Sequence, residues 1–426
     1  MNILLINPWI HDFKCYDEWM RPLGLFRIQE RLNKAGMKSE LINFLGTHKK
    51  NKKFGTGDFF SEVIKAPELY SGFQRNFKKY GFTNEKAEEE LSKVNEPDLI
   101  FISSGMTFWY NGLKETIDFL RKRFKKSRII LGGTYASLMP CHAQKFSGAD
   151  EVVTNNEFEN YIVRLTGKTD KSDFGGVPRI INGAAAIRIS AGCPSGCTYC
   201  ASKILSGPYR RLSMERTASV LLKAAQKGKL KDIVFYDDAL LFNFREHLLK
   251  LLEIISKGLS GCGIKLRYHC PNGLHAGAID PFTADKLKEH GFETLRIGYE
   301  YSDSLLSEKT GGKVTHEKAI ECLNNLSAAG FRQGQPGVNI MLSCGLKKTI
   351  PDPVKINELK KAGARIKPIL FSPVPGTDEF KKVSKILPQI TKNPLYHNDA
   401  FFSFKTGIFS MEEYSEIKKD FMKPAN

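Results

Sequence analysis

The stretch Ala185-Ala186-Ile187-Arg188-Ile189-Ser190-Ala191-Gly192-Cys193-Pro194-Ser195-Gly196-Cys197-Thr198-Tyr199-Cys200 decides how the chain is read. Ala185–Ile189 is a short run of small and β-branched residues, a buried strand by composition, and it runs directly into a loop carrying C-x₃-C-x₂-C. Three thiolates on one loop match three irons of a cubane, whereas an iron–sulfur cluster held by protein alone takes four cysteines. The missing fourth thiolate leaves one iron open to another ligand. The competing chemistry is zinc, which takes four N or S ligands, usually as two pairs. No second C-x₂-C exists in the chain, so His269 or His275 would have to complete such a site.

The other six cysteines, Cys15, Cys141, Cys262, Cys270, Cys322 and Cys344, show no pairing pattern, and a disulfide framework is not expected. The opening MNILLINPWIHDF starts a strand at once and lacks the basic region and cleavage site of a secretory signal. No apolar run approaches the roughly 20 residues that span a bilayer. The expected location is the cytoplasm, with no membrane span. Lys and Arg total 64 against 46 Asp and Glu, a net charge of +18 that could steer an anionic partner. Much of the excess falls on Lys49, Lys50, Lys52 and Lys53 and on Arg121, Lys122, Arg123, Lys125 and Lys126, which read as a loop and a solvated helix face. Without an aromatic ladder or a nucleic-acid module, the charge argues against nucleic acid as partner.

Outward from the cysteine loop, 426 residues exceed the roughly 100–200 of one domain, and two domains are expected. Residues 1–165 alternate apolar strands and amphipathic helices: strands at Ile3–Asn7, Ser39–Phe44, Asp98–Ser103, Arg128–Leu131 and Glu151–Thr154, and helices at Gly24–Ala35 and Leu113–Phe124. This predicts an α/β unit, a Rossmann-like doubly wound parallel sheet, interrupted at about residues 46–95 by an insertion with one helix, Glu85–Val94. In such sheets ligands bind at the carboxyl ends of the strands, where Ser103 and Gly132-Gly133 lie. Residues 166–184 read as a linker. Residues 185–385 then offer strands at Ala185–Ile189, Asp232–Phe235, Lys265–His269, Thr294–Gly298, Val338–Leu342 and Lys367–Phe371, a partial (β/α)6 TIM-type barrel, and 386–426 form a carboxyl-terminal extension.

The cysteine spacing resembles the signature of the radical S-adenosylmethionine superfamily. The resemblance extends along the chain to the branch with an amino-terminal cobalamin-binding-like domain, which includes the anaerobic magnesium-protoporphyrin IX monomethyl ester cyclase and related methyltransferases. Its matching pieces, in order, are Ile6-Asn7-Pro8, Arg21-Pro22-Leu23-Gly24-Leu25, Pro97-Asp98-Leu99-Ile100, Gly132-Gly133, the cysteine loop, Asp237-Asp238, Pro271-Asn272-Gly273-Leu274-His275, Arg296 to Glu300, and Phe371-Ser372-Pro373-Val374-Pro375-Gly376-Thr377. The resemblance implies a [4Fe–4S] cluster on Cys193, Cys197 and Cys200, with S-adenosylmethionine on the open iron. It implies that Tyr199 lies beside the adenine and that Asp237 and Asp238 bind the amino group. It also places Glu300 by the amino-acid or ribose moiety, Arg210 near the cofactor, and Ser103, Gly132 and Gly133 at a corrinoid site. For Asp237 and Asp238 the ordinary alternative is a strand-end turn or helix cap, and for Arg210 a surface arginine.

The implied activity is reductive cleavage of S-adenosylmethionine to a 5′-deoxyadenosyl radical acting on a small-molecule substrate, with electrons from a low-potential donor such as ferredoxin or flavodoxin. Cobalamin is the second cofactor the resemblance allows, leading to methylation or ring formation. The chain departs from the pattern twice. D-x-H-x-x-G is absent, with Asp12 after His11 rather than before it, so His11 is not expected to ligate cobalt. Where relatives have Gly-Leu-Pro-Gly this chain has Ser343-Cys344-Gly345-Leu346-Lys347-Lys348. No radical relay or acid–base residue stands out. Two other classes remain: a zinc-stabilised nucleic-acid-binding protein, and a ligand-binding or sensor protein built on the cobalamin-like domain.

Overall fold

The computed structural model describes residues 1–169, 178–312 and 314–425. The chain divides into two compact units, Met1–Val177 with Pro388–Asn398, and Pro178–Leu387 with Asp399–Asn426.

In the first unit β1 (Ile3–Asn7), β2 (Ser39–Asn43), β3 (Leu99–Ser104), β4 (Arg128–Gly133) and β5 (Glu151–Val152) form one parallel sheet, ordered β5-β4-β3-β1-β2. Side chains alternate across a strand, so each apolar run supplies two cores. Leu4, Ile6, Ile100, Ile102, Ile129 and Leu131 face the helices Asn84–Ser92, Tyr110–Arg123 and Thr134–Leu138. Ile3, Leu5, Phe101 and Ile130 face the helices Leu23–Lys34 and Phe158–Thr166. At the end of β4 Gly133 has φ +96°, and a Cβ there would lie 2.4 Å from Ser104 O. Only glycine allows the two strand ends to approach this closely.

The expected insertion is more structured than its sequence suggested. Its helix is present as Asn84–Ser92, capped by Thr83, whose side chain accepts from Lys86 N. The remainder, expected to lack regular elements, forms short antiparallel pairings instead. Lys78–Tyr80 bridges Ile10–Asp12 and Ser61–Val63, and His48–Asn51 pairs with Gly57–Phe59. Strands of three and four residues rich in Lys carry no readable alternation. A cluster of Phe13, Tyr70, Phe73 and Phe77, with ring centroids 4.9–5.4 Å apart in the Phe13–Tyr70, Phe13–Phe73, Phe13–Phe77 and Tyr70–Phe77 pairs, holds them.

Pro388–Asn398, expected within the carboxyl-terminal extension, packs into this first unit. Tyr70 donates to Leu395 O at 2.8 Å and Asn398 Nδ2 to Asp12 Oδ1 at 2.9 Å. His397 Nε2 faces Ile390 O at 2.8 Å, which can only accept, so Nδ1 accepts from the Thr107 hydroxyl at 2.8 Å. Burial lowers the His397 pKa to about 4 and keeps the ring neutral.

The second unit is a parallel sheet in chain order: β7 (Ala184–Ile187), β8 (Asp232–Phe235), β9 (Arg267–His275), β10 (Phe292–Glu300), β11 (Pro336–Met341) and β12 (Arg365–Ile369). A short β6 (Ile180–Ile181) adds antiparallel to β7. It falls in the expected linker, of which residues 170–177 lie outside the described residues. The helices Met214–Gln226, Leu248–Gly258, Pro281–Glu289, His316–Ala328 and Pro353–Lys361 connect successive strands. β9 and β10 run further than expected, through register shifts at Tyr268/His269, His269/Gly273 and Gly298/Glu300. These irregularities carry His275 and Glu300 out at the carboxyl ends of their strands. Among the described residues no helix is long and apolar enough to cross a membrane.

Candidate functional site

The cysteine loop leaves β7, whose Ile187 is level with Phe235 of β8. Asp237, two residues past Phe235, therefore meets the start of the loop. Its Oδ1 accepts from Ile189 N at 3.0 Å, Ser190 N at 2.5 Å and Ser190 Oγ at 2.6 Å. Asp237 is buried, and its Oδ2 has no hydrogen-bond partner among the described residues. The structure thus places Asp237 as a clamp on the loop's backbone rather than in a cavity. Asp238 turns the other way: its Oδ2 contacts Arg188 Nη2 and accepts from Gly192 N at 3.2 Å. Arg210, on the short strand Arg210–Arg211 paired with Ser190–Ala191, donates to Ser206 O at 2.5 Å. Burial first, and then Arg188, lower its pKa.

Burial outweighs these bonds and raises the Asp237 pKa to about 6. A carboxyl raised above its unfolded value near 3.9 favours folding most while it is protonated in both states. That contribution is lost as pH rises through about 6. A shift of about two units corresponds to roughly 3 kcal/mol. We therefore expect the stability of Asp237→Asn relative to wild type to improve by a large part of that amount between about pH 4 and pH 7, measured by urea unfolding across the range. A pH-independent difference would contradict it.

Further along the loop, Thr198 N donates to Thr310 O at 3.1 Å, and Thr198 O accepts from Glu379 N at 3.1 Å. The Thr198 hydroxyl donates to Glu379 Oε1 at 3.0 Å, which also takes Lys382 Nζ at 2.7 Å. Gly311 lies against the central cysteine, where a Cβ would sit 3.1 Å from Cys197 Cα and 3.5 Å from its Sγ. None of the three cysteines forms a disulfide; Cys193 and Cys197 are part-buried and Cys200 is exposed. Cys200 Sγ accepts from Ser202 N at 3.5 Å. Among the described residues no three His, Cys, Asp or Glu side chains are gathered on a common point.

Cys193 opens onto a cavity of about 280 Å³ shared with Ser195, Asp238, Asn243 and His275 and walled by Leu240, Leu241 and Phe242. This is near the roughly 300 Å³ at which small-molecule sites begin. His275 Nδ1 accepts from Gly277 N at 3.1 Å, whereas His269 is engaged by Asp232 at 2.9 Å and Thr294 at 3.1 Å. Tyr199 packs edge-on to Tyr301 at 6.3 Å. Burial, Glu300 and Cys197 together hold its phenol protonated. Glu300 has φ +68°, a left-handed backbone that a non-glycine residue keeps only at a cost of order 1–3 kcal/mol. Tyr199, Glu300 and Arg210 do not line the cavity.

In the first unit, β1 and β3 are the neighbours at which strand order reverses, and a cavity of about 130 Å³ opens there, lined by Asn7, Ser103, Arg21, Trp109 and Tyr135 among others. Ser103 lies on its wall. Gly132 and Gly133 do not: Gly132 O accepts from Ser104 Oγ at 2.6 Å, and Gly133 packs on the Ser104 backbone. His11 is turned onto Glu115 at 3.0 Å, and no histidine lines this cavity. Ser343–Cys344 and Lys347–Lys348 form a small hairpin, and Tyr301 donates to Ser343 O at 3.4 Å. Arg188, Glu379, Thr310 and Gly311 escaped the sequence reading because no spacing links them to the cysteines; they meet only through the sheet.

Residues 187–359 match the family model of the radical SAM superfamily. Among curated proteins the chain is 28% identical over 152 residues to the ribosomal protein uS12 methylthiotransferase RimO of Acetivibrio thermocellus, covering 34% of this chain and 33% of that protein. It is 25% identical over 163 residues to an uncharacterized methyltransferase of Pyrococcus horikoshii, covering 38% of this chain and 33% of that protein. The chain thus spans about a third of the length of these relatives. Among solved structures, the radical S-adenosylmethionine methyltransferase TsrM from Kitasatospora setae has a TM-score of 0.64 at 14% identity, over 91% of this chain and 77% of that one. The cobalamin-dependent S-adenosylmethionine radical enzyme OxsB has a TM-score of 0.57 at 16% identity, over 92% of this chain and 56% of that one. At such identities these structures share the fold.

Proposed function

We propose that the chain, whose residues 187–359 match the radical SAM superfamily model, is an enzyme whose Cys193, Cys197 and Cys200 hold a [4Fe–4S] cluster with S-adenosylmethionine on the remaining iron. The observation that carries this reading is three cysteines outside any disulfide on one backbone-anchored loop, with Cys193 opening onto a cavity. When bound, the two groups supply reductive cleavage of the sulfonium and a 5′-deoxyadenosyl radical. The chain's own part is to position and enclose. Asp237, Thr198 and Glu379 fix the loop; Asp238 sets a carboxylate at the cavity for a cationic ammonium; Leu240, Leu241 and Phe242 keep water from the wall.

The strand orders support reading residues 1–165 as a Rossmann-like doubly wound unit and 185–385 as a partial (β/α)6 TIM-type barrel. The substrate is a small molecule, the electron donor a low-potential protein such as ferredoxin or flavodoxin, and the compartment the cytoplasm, which keeps thiols reduced. For a corrinoid, the lining of the first unit's cavity offers cobalt no imidazole, so a cobalamin seated there is held without one. Saturable binding of hydroxocobalamin, followed by its absorption spectrum, assigns methylation or ring formation. Its absence leaves hydrogen abstraction followed by rearrangement or coupling.

The test is anaerobic incubation of reconstituted protein with S-adenosylmethionine and dithionite. Equimolar 5′-deoxyadenosine and methionine are expected. A fully loaded cluster that yields neither overturns the proposal in favour of a binding or sensor role.

A further inference from the structure

One hydroxyl beside the cysteine loop is aimed at a sulfur. Ser202, two residues past Cys200, places its Oγ 3.2 Å from Cys200 Sγ, and its backbone N donates to the same sulfur at 3.5 Å. Among the described residues the hydroxyl has no other hydrogen-bond partner. The turn that carries Ser202 is fixed by contacts other than the sulfur. Ile204 N and Leu205 N both donate to Ala201 O at 2.9 Å, and Arg210 Nη1 donates to Ser206 O at 2.5 Å. Ile204 also lies against Gly376, where a Cβ would sit 2.8 Å from its Cδ1. The hydroxyl is therefore held at the sulfur by the packing of the turn around it.

Between a thiol and a hydroxyl either atom can donate. A thiolate bound to iron carries no proton and can only accept, so with Cys200 as a cluster ligand the Ser202 hydroxyl becomes the donor. An N–H and an O–H then meet one ligand sulfur. Hydrogen bonds to the sulfurs are among the features that set the potential of such a cluster. The sign follows from charge. Reduction by one electron makes the sulfurs more negative, and a hydrogen bond to a more negative acceptor is stronger. The hydroxyl thus favours the reduced form and eases uptake of the electron. Any residue but proline supplies the N–H at this position, whereas a hydroxyl on the β-carbon comes only from serine or threonine.

We propose that Ser202 is a positioning residue that acts through Cys200 Sγ to raise the reduction potential of the cluster, an inference that rests on the ligation proposed above. The test is the potential of the reconstituted full-length protein in wild type, Ser202→Ala and Ser202→Thr. It is read from the electron paramagnetic resonance of the reduced cluster at a series of potentials set with dithionite and mediators, dithionite giving up the electron and being oxidised to sulfite. Ser202→Ala is expected to shift the reduction equilibrium at least threefold toward the oxidised form, a fall of about 28 mV at 59 mV per tenfold for one electron. Ser202→Thr keeps the hydroxyl and is expected to keep the wild-type potential. A role confined to holding the turn would change iron content without this split. Should Ser202→Ala fail to load a cluster, Ser202→Val compared with Ser202→Thr decides, because the two side chains share a shape and differ in the hydroxyl, and the same threefold difference is expected. A loaded variant that lacks the hydroxyl yet keeps the wild-type potential, or an equal fall in Ser202→Thr, overturns the inference while leaving the cluster in place. Iron and sulfide content, measured first, separates this from failure of the ligation itself: wild type that takes up neither overturns both.

Discussion

In Cys197→Ala, 5′-deoxyadenosine formation is expected to fall at least a hundredfold, with the far-ultraviolet circular dichroism unchanged. Loss of groups that merely orient a metal ligand costs roughly 10–100-fold, so removing a ligand itself should cost more. The fold should survive because the backbone anchors of the loop remain in place. Cys197 is half-buried, its loop is held through the backbone of Thr198 by Thr310 and Glu379, and alanine is smaller than cysteine. Cys262, exposed and remote from the loop in sequence, is the control: Cys262→Ala should keep wild-type turnover and iron content. Equal loss in both variants would move the cause from ligation to general thiol chemistry.

The second large effect is expected from a residue without a side chain. At Gly311, φ is +130°, and a Cβ would lie 3.1 Å from Cys197 Cα and 3.3 Å from its N, which are backbone atoms with nowhere to go. Gly311→Val should displace the loop and lower both iron content and turnover more than tenfold. Gly312 separates this cause from ordinary strain. It too has a left-handed backbone, φ +58°, but a Cβ there meets nothing nearer than Glu308 Cα at 4.0 Å. Gly312→Val should cost a similar few kcal/mol of stability, roughly 1–3, yet retain the cluster. Iron content falling equally in the two variants, measured colorimetrically after anaerobic reconstitution, would contradict the account.

What the sequence could convey depended on the range of the signal. The parallel strands were legible because a run such as Ile3–Asn7 or Asp232–Phe235 is buried on both faces and advertises itself in five residues or fewer. The cysteines were legible because their chemistry is encoded in spacing along one loop. The ribbon of Ile10–Asp12, Ser61–Val63 and Lys78–Tyr80 was not, because its stability comes from aromatic contacts between distant segments, such as Phe13 with Phe77. For the same reason Pro388–Asn398 could not be assigned to the first unit: its anchors are Tyr70, Thr107 and Asp12, some 290 or more residues away in the chain. The Asp237-Asp238 pair shows the limit at the site itself. Adjacent and identical, the two residues point to opposite sides of the strand end, one into a buried clamp and the other to the cavity, and only alternation in three dimensions separates their roles.

The most direct measurement is metal and sulfide analysis of anaerobically reconstituted protein, joined to the electron paramagnetic resonance spectrum of the reduced cluster with and without S-adenosylmethionine. About four irons and four sulfides per chain are expected, with a spectrum that shifts on adding S-adenosylmethionine. Zinc in place of iron would contradict the account. So would a spectrum that ignores S-adenosylmethionine in wild type but responds in His275→Gln, because a protein side chain would then occupy the position left for the substrate.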